Sequence, residues 1–139
     1  MIYRLKHFHK TTETRDGDAK TLGCFSSMDK IEKAKKKYRN MRGFSEYPYG
    51  FCVFEQAVSG EKIKEQNFVY IAEVYIRDET FEFEREYCIG AFWDNNDAEK
   101  SLKEYICQNH ETIDAGEIIV DCTVTKCKID KMEWIYGFK

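Results

Sequence analysis

The sequence predicts an α+β fold: two tandem ββαβ repeats, about six mostly antiparallel strands with two helices packed on the sheet, related by a pseudo-twofold axis. Three observations carry this reading. Strand-like alternation and helix-like periodicity follow one another in the same order in both halves. A shift of 67 residues lays the second half on the first without a gap. The chain of 139 residues, 42% apolar and 15% aromatic, has material for one compact core, since chains of this length bury roughly two-thirds of their unfolded surface.

The first unit opens on IYRLKHFH, 2–9, which alternates as a strand does. Asp16-Gly17 signals a hairpin turn, and AKTLGCF, 19–25, returns as the second strand. Ser26 or Ser27 can then accept from the free N–H groups of a first helical turn. Ile31, Ala34, Tyr38 and Met41 recur at helical spacing and give residues 28–42 one apolar stripe. A helix with one stripe covers one face of a sheet. Gly43 lies just past the stripe, where a helix end favours a left-handed residue, and Pro48 pushes Tyr47 toward extended geometry. FCVFEQAV, 51–58, is the third strand. The segment GFSEYPYGF, 43–51, is therefore the corner between helix and strand. In it Phe44 and Phe51 are expected to cap the core, while Tyr47 and Tyr49 flank the proline and present stiff rings to a partner.

The polar stretch SGEKIKEQN, 59–67, links repeat one, 1–58, to repeat two, 68–139, within a single domain. Repeat two reads FVYIAEVYI, 68–76, then TFEFEREYCIGAFW, 80–93, then a helix capped by Asp94 with the stripe Ala98, Leu102, Tyr105 and Ile106. QNHETIDAGE, 108–117, crosses the ground of the corner without aromatics, and EIIVDCTV, 117–124, closes the unit. Under the shift Tyr3 meets Tyr70, Gly23 meets Gly90, Phe25 meets Phe92, Tyr38 meets Tyr105 and Val53 meets Val120. One continuous sheet and two packed sheets fit these patterns equally.

LGCFSS at 22–27, the corner GFSEYPYGF and the terminal WIYGF at 134–138 carry a resemblance. Together they resemble a small, functionally uncharacterised bacterial domain family with an F-S-S helix start, a G-F-x-x-x-P-x-G-F corner and a W-x-x-G-F tail. The resemblance covers roughly residues 2–57 and, in the second half, the tail. It implies no catalytic residues. It implies kinship with small proteins of toxin–immunity neighbourhoods. This chain departs from the family pattern by duplication, with the corner in one unit and the tail in the other.

A net charge of −3 argues against a general nucleic-acid binder. No run of 18 apolar residues exists, and MIYRLKHFHK lacks the apolar stretch of a signal peptide. A cytoplasmic protein is expected. The six cysteines, at 24, 52, 88, 107, 122 and 127, form no CxxC and are expected to be reduced. Cys122 and Cys127 are five apart and point to opposite faces of a strand. His7 and His9 share a strand face, which could begin a metal site, but lysines flank them and no carboxylate or cysteine has ligand spacing. His7 and His9 read instead as half-exposed strand residues. Phosphate loops and nucleophile motifs are absent from the sequence. No cofactor, no metal and no enzymatic activity are expected.

Charge is the more informative feature. Residues 78–87, DETFEFEREY, hold five acidic residues against one basic. On a strand Glu82, Glu84 and Glu86 share one face. Residues 28–42 hold seven basic residues against two acidic. The leading expectation is a protein-interaction module, most concretely an immunity-type inhibitor. It would occlude a basic toxin with Glu82, Glu84, Glu86 and the neighbouring Asp94 and Asp97, helped by Tyr47 and Tyr49. The alternative is a nucleic-acid-binding or regulatory protein that uses Lys33, Lys36, Lys37 and Arg39 of the basic helix.

Overall fold

The computed structural model describes residues 1–8, 19–78, 84–109 and 117–134. The elements run β1 (Ile2–Phe8), β2 (Ala19–Phe25), α1 (Met28–Tyr38), β3 (Phe51–Gln56), β4 (Val58–Ser59), β5 (Phe68–Asp78), β6 (Glu84–Phe92), α2 (Asn95–Asn109) and β7 (Glu117–Lys128). The chain is α+β, and its strands form two mostly antiparallel sheets. One has the order β2-β1-β3, the other β4-β6-β5-β7. The predicted hairpin turn at Asp16-Gly17, the QNHETIDAGE corner beyond Asn109, and the tail after Trp134 lie outside the described residues.

The strand sets β2-β1-β3 and β6-β5-β7 share order and direction, and their first two strands share register. Tyr3 pairs with Phe25, and Tyr70 pairs with Phe92. Each ladder slips by one residue at the same place, between Leu5 and Lys6 and between Ala72 and Glu73. Leu22 and Ile89 are the extra residues. Such a bulge sharpens the local twist of a strand pair. The third strands do not follow the shift of 67. Leu5 faces Val53, while its counterpart Ala72 faces Val124 rather than Val120. From Phe92 to Val124 the chain thus runs four residues further than from Phe25 to Val53.

The third strands also end by crossing over. The expected strand 51–58 breaks at Ala57, and Val58–Ser59 joins the other sheet, parallel to β6, with Val58 beside Ala91. Past β7, Ile129 bridges Cys24 of β2 in the same parallel sense. The Asp130 N–H donates to the Cys24 carbonyl and the Glu133 N–H to that of Leu22. Each sheet therefore takes an edge from the other half of the chain.

Alternation sorts the layers. Leu5, Leu22 and Phe25 turn outward onto Ile31, Ala34 and Tyr38 of α1. Ala72, Val74, Ile76 and Phe92 pack on Ala98 and Leu102 of α2. The inner faces meet through Ile2, Cys24, Val69, Ile71, Ala91 and Cys127. The order is helix, sheet, sheet, helix. Cys122 packs on the α2 side and Cys127 between the sheets, the opposite faces that their spacing requires. The linker is tied down by Gln66, whose amide accepts from the Ile63 N–H and donates to the Phe68 and Trp93 carbonyls.

α1 starts at its N-cap Ser27, whose side chain accepts from the Lys30 N–H. The helix ends at Tyr38, not at residue 42. Lysines 35–37 occupy its last turn, where cations favour the carboxyl end of the helix dipole. Its start is also held from the far end of the chain. Asp130 accepts from the Ser26 N–H at 2.8 Å and from Lys30 Nζ at 2.7 Å. Burial pushes the Asp130 carboxyl up, but the hydrogen bonds from Lys30 and Ser26 outweigh it and hold it below the usual carboxylate range. Folded Asp130 binds its proton more weakly than unfolded Asp130. Its stabilisation is therefore present above the unfolded carboxyl value of about 3.9 and lost as pH falls through the folded value. Asp130→Asn is expected to lower stability at pH 7 by on the order of 1 kcal/mol. The gap to wild type should close in urea titrations as pH falls through the lowered folded value.

Candidate interaction site

The helix-to-strand corner is a run of tight turns on a buried aromatic floor. The Met41 N–H donates to the Tyr38 carbonyl, the Ser45 N–H to Met41 and the Tyr47 N–H to Phe44. Gly43 has φ +90°, a left-handed backbone that a side chain would strain, five residues beyond Tyr38 rather than at the helix end. Phe44 is fully buried, and Phe51 is partly buried against the same cluster as α1. Both rings do cap the core.

His7 locks the corner to the sheet. Its ring is fully buried, edge-on to Phe44 at 4.9 Å and to Phe51 at 4.8 Å between centroids. This corrects the expectation of a half-exposed strand histidine, because the aromatic corner folds over that face of β1. His7 Nε2 lies 2.9 Å from the Tyr47 carbonyl oxygen. A carbonyl only accepts, so Nε2 carries the proton. The Gly50 N–H donates to the same carbonyl, and the Gly50 carbonyl accepts from the Phe8 N–H at 2.8 Å. A Cβ at Gly50 would collide with the Phe8 carbonyl oxygen, so the loop lies flat on β1 only because residue 50 has no side chain.

The two tyrosines diverge. Tyr47 is half-buried and spends its carbonyl on His7 and Gly50. Tyr49 is 96% exposed on the outer side of the corner. An open groove of about 540 Å³ runs between them, lined by Phe8, Glu46, Pro48, Gly50 and Cys52 as well. Beside it β3 is the outer strand of its sheet, and Phe54 on β3 is 42% exposed.

Glu84 and Glu86 stand on β6, away from Asp94 and Asp97 beyond its far end. Glu82 lies outside the described residues. Glu84 begins β6 opposite Arg77, and Glu86 stands opposite Tyr75. Asp94 follows the other end of β6, nine residues from Glu84 to Phe92, at about 3.3 Å per residue. Strand length thus separates the glutamates from Asp94 and Asp97. Asp94 is occupied as a cap, its carboxylate accepting from the Asp97 N–H at 3.3 Å.

The basic residues are better assembled. Lys33, Lys36 and Lys37 are exposed on the outer side of α1, and none is ion-paired among the described residues. Arg39 caps the helix and sits 5.8 Å from the Phe51 ring, which brings the basic helix up to the corner. Among the described residues no group of three or more His, Cys, Asp or Glu could hold a metal ion. No helix there is long and apolar enough to cross a membrane.

No protein-family model, curated protein or solved structure matches this chain. Besides the corner, the chain places charged chemistry between its two sheets.

Sequence reading missed that chemistry. Arg4 and Lys6 look like the solvent face of an alternating strand, yet both are buried and reach Glu73 of β5, at 3.4 and 3.6 Å. One signal was present. Lys6 and Glu73 occupy matching positions under the shift of 67, with opposite charge, as two residues facing each other across a twofold axis would.

Proposed function

We propose that this chain is a cytoplasmic protein-interaction module built from a duplicated ββαβ unit, and that the aromatic corner with the adjoining β3 edge is its docking surface. The observation that carries the reading is Tyr49. A large ring held almost wholly in water, on a loop fixed by Gly50 and the His7–Tyr47 bond, costs little conformational entropy to bury. Among the described residues β3 ends its sheet, and its outer edge offers backbone groups to an extended segment of the partner. The resemblance to toxin–immunity neighbourhoods makes an inhibitor of a basic toxin the most concrete form. Residues 82–86 would then steer the toxin from a distance, and the corner would hold it.

Capture of the partner from source cells tests this. Tyr49→Ser should leave folding intact and lower partner recovery by about tenfold, as loss of an interface anchor does. Glu82, Glu84 and Glu86 changed together to glutamine should slow association and flatten its salt dependence, because steering is screened within about 10 Å at 0.1 M salt. Recovery unchanged by Tyr49→Ser contradicts the reading.

A second reading has its own observation, the unpaired lysines of α1. With Arg39 they form a basic strip that runs up to the partly buried Phe51 ring at the corner that carries Tyr49, an arrangement suited to single-stranded nucleic acid. A gel shift that weakens steeply with salt, and is abolished by changing Lys33, Lys36 and Lys37 to glutamine, would establish it.

A further inference from the structure

Between the two sheets lies a narrow cavity of about 170 Å³. Cys24 of β2 and Cys127 of β7 line it together with Arg4, Glu73 and Glu133. The two cysteines are 1% and 5% exposed and belong to one buried cluster between the sheets. They belong to strands of different sheets, so no ladder requires them to meet. Arg4 is 4% exposed, and among the described residues its guanidinium hydrogen-bonds Glu73 alone, at 3.4 Å. Most of its five N–H donors stay available to the cavity. Packing explains either cysteine as a small apolar residue. It does not explain two buried thiols and a buried guanidinium lining one cavity.

We propose that Cys24 and Cys127 form a redox-active dithiol that hydrogen peroxide converts to a disulfide joining β2 to β7. The Cys127 thiolate is the attacking group. The hydrogen bond from Cys24 holds the Cys127 thiol below the ordinary cysteine value against the opposing effect of burial, and Arg4 adds to the lowering. The same hydrogen bond and burial push Cys24 up, so it keeps its proton. The thiolate sulfur bonds to one peroxide oxygen and the O–O bond breaks. The departing hydroxide takes a proton and leaves as water, and Cys127 is now a sulfenic acid. The Cys24 sulfur then attacks the Cys127 sulfur, the S–O bond breaks, and the oxygen leaves as a second water with the Cys24 proton. Two electrons pass from the thiols to the peroxide. Hydrogen peroxide is little larger than a water, whose share of the liquid is about 30 Å³, so the cavity admits it. The bond would close a loop of roughly a hundred residues, a large constraint on the unfolded chain. It would also pin the crossing segment after β7 to β2.

The test treats the reduced protein with one equivalent of hydrogen peroxide, alkylates it in denaturant and maps the peptides by mass. The expected main product is the Cys24–Cys127 linked pair, reversed by dithiothreitol. In Cys24→Ser, a sulfenic-acid trap should label Cys127 at least roughly tenfold faster than the exposed Cys107. The proposal is overturned if Cys107 oxidises first while Cys24 and Cys127 stay free. It is equally overturned if the link forms only after the protein is unfolded. The mapping of wild type needs no variant, so a misfolded Cys24→Ser protein would not rescue it.

Discussion

Glu73→Gln is expected to lower folding stability by about 3–5 kcal/mol, a large share of the 5–15 kcal/mol that holds an ordinary domain. The substitution keeps the shape and removes one negative charge. That charge is the carboxylate that Arg4 and Lys6 share across the sheet interface. All three side chains are largely shielded from water, so water cannot compensate the two cations. Their mutual repulsion adds to the desolvation already incurred. A urea titration should show an earlier midpoint with an unchanged slope, since the surface exposed on unfolding stays the same. A midpoint within error of wild type would mean that the sheets do not pack through this cluster.

Phe44→Ala is expected to cost about 3–5 kcal/mol as well, through the ring's lost burial and the cavity left behind. Phe44 is fully buried among His7, Tyr38 and Phe51, with ring centroids 4.9, 5.2 and 6.3 Å away. The cavity would open directly under the corner. Tyr49 would lose its rigid base, and partner binding should fall even under conditions where the protein is still folded. Urea titration gives the first effect, and partner capture at low temperature gives the second.

Much of the architecture was legible because local chemistry and global fold agree. The alternation of β1, the Ser27 and Asp94 caps and the single stripe of each helix point to the elements that form. The glycine at 43 does take a left-handed backbone, and Phe44 does face inward. What failed depends on partners distant in sequence. Met41 continues the helical period, yet the chain leaves the helix at Tyr38 because the corner must fold back onto His7. Val58 looks like the end of a strand and belongs instead to the other sheet. Arg4 and Lys6 alternate with apolar neighbours as exposed residues do. Only the second sheet, which supplies Glu73, turns their face into an interior. Among the site residues, Tyr49 could be read from its place beside Pro48. The separation of Glu84 from Asp94 could not, because it follows from the length of β6.

The central claim is that the corner docks a protein. The most direct measurement places a photo-crosslinking phenylalanine analogue at position 49 and irradiates the protein in its source cells. Docking through the corner gives a discrete adduct that protease removes and nuclease does not, and that is absent when the analogue stands at the exposed position of Lys103 on α2. An adduct sensitive to nuclease, or equal labelling at both positions, would contradict it.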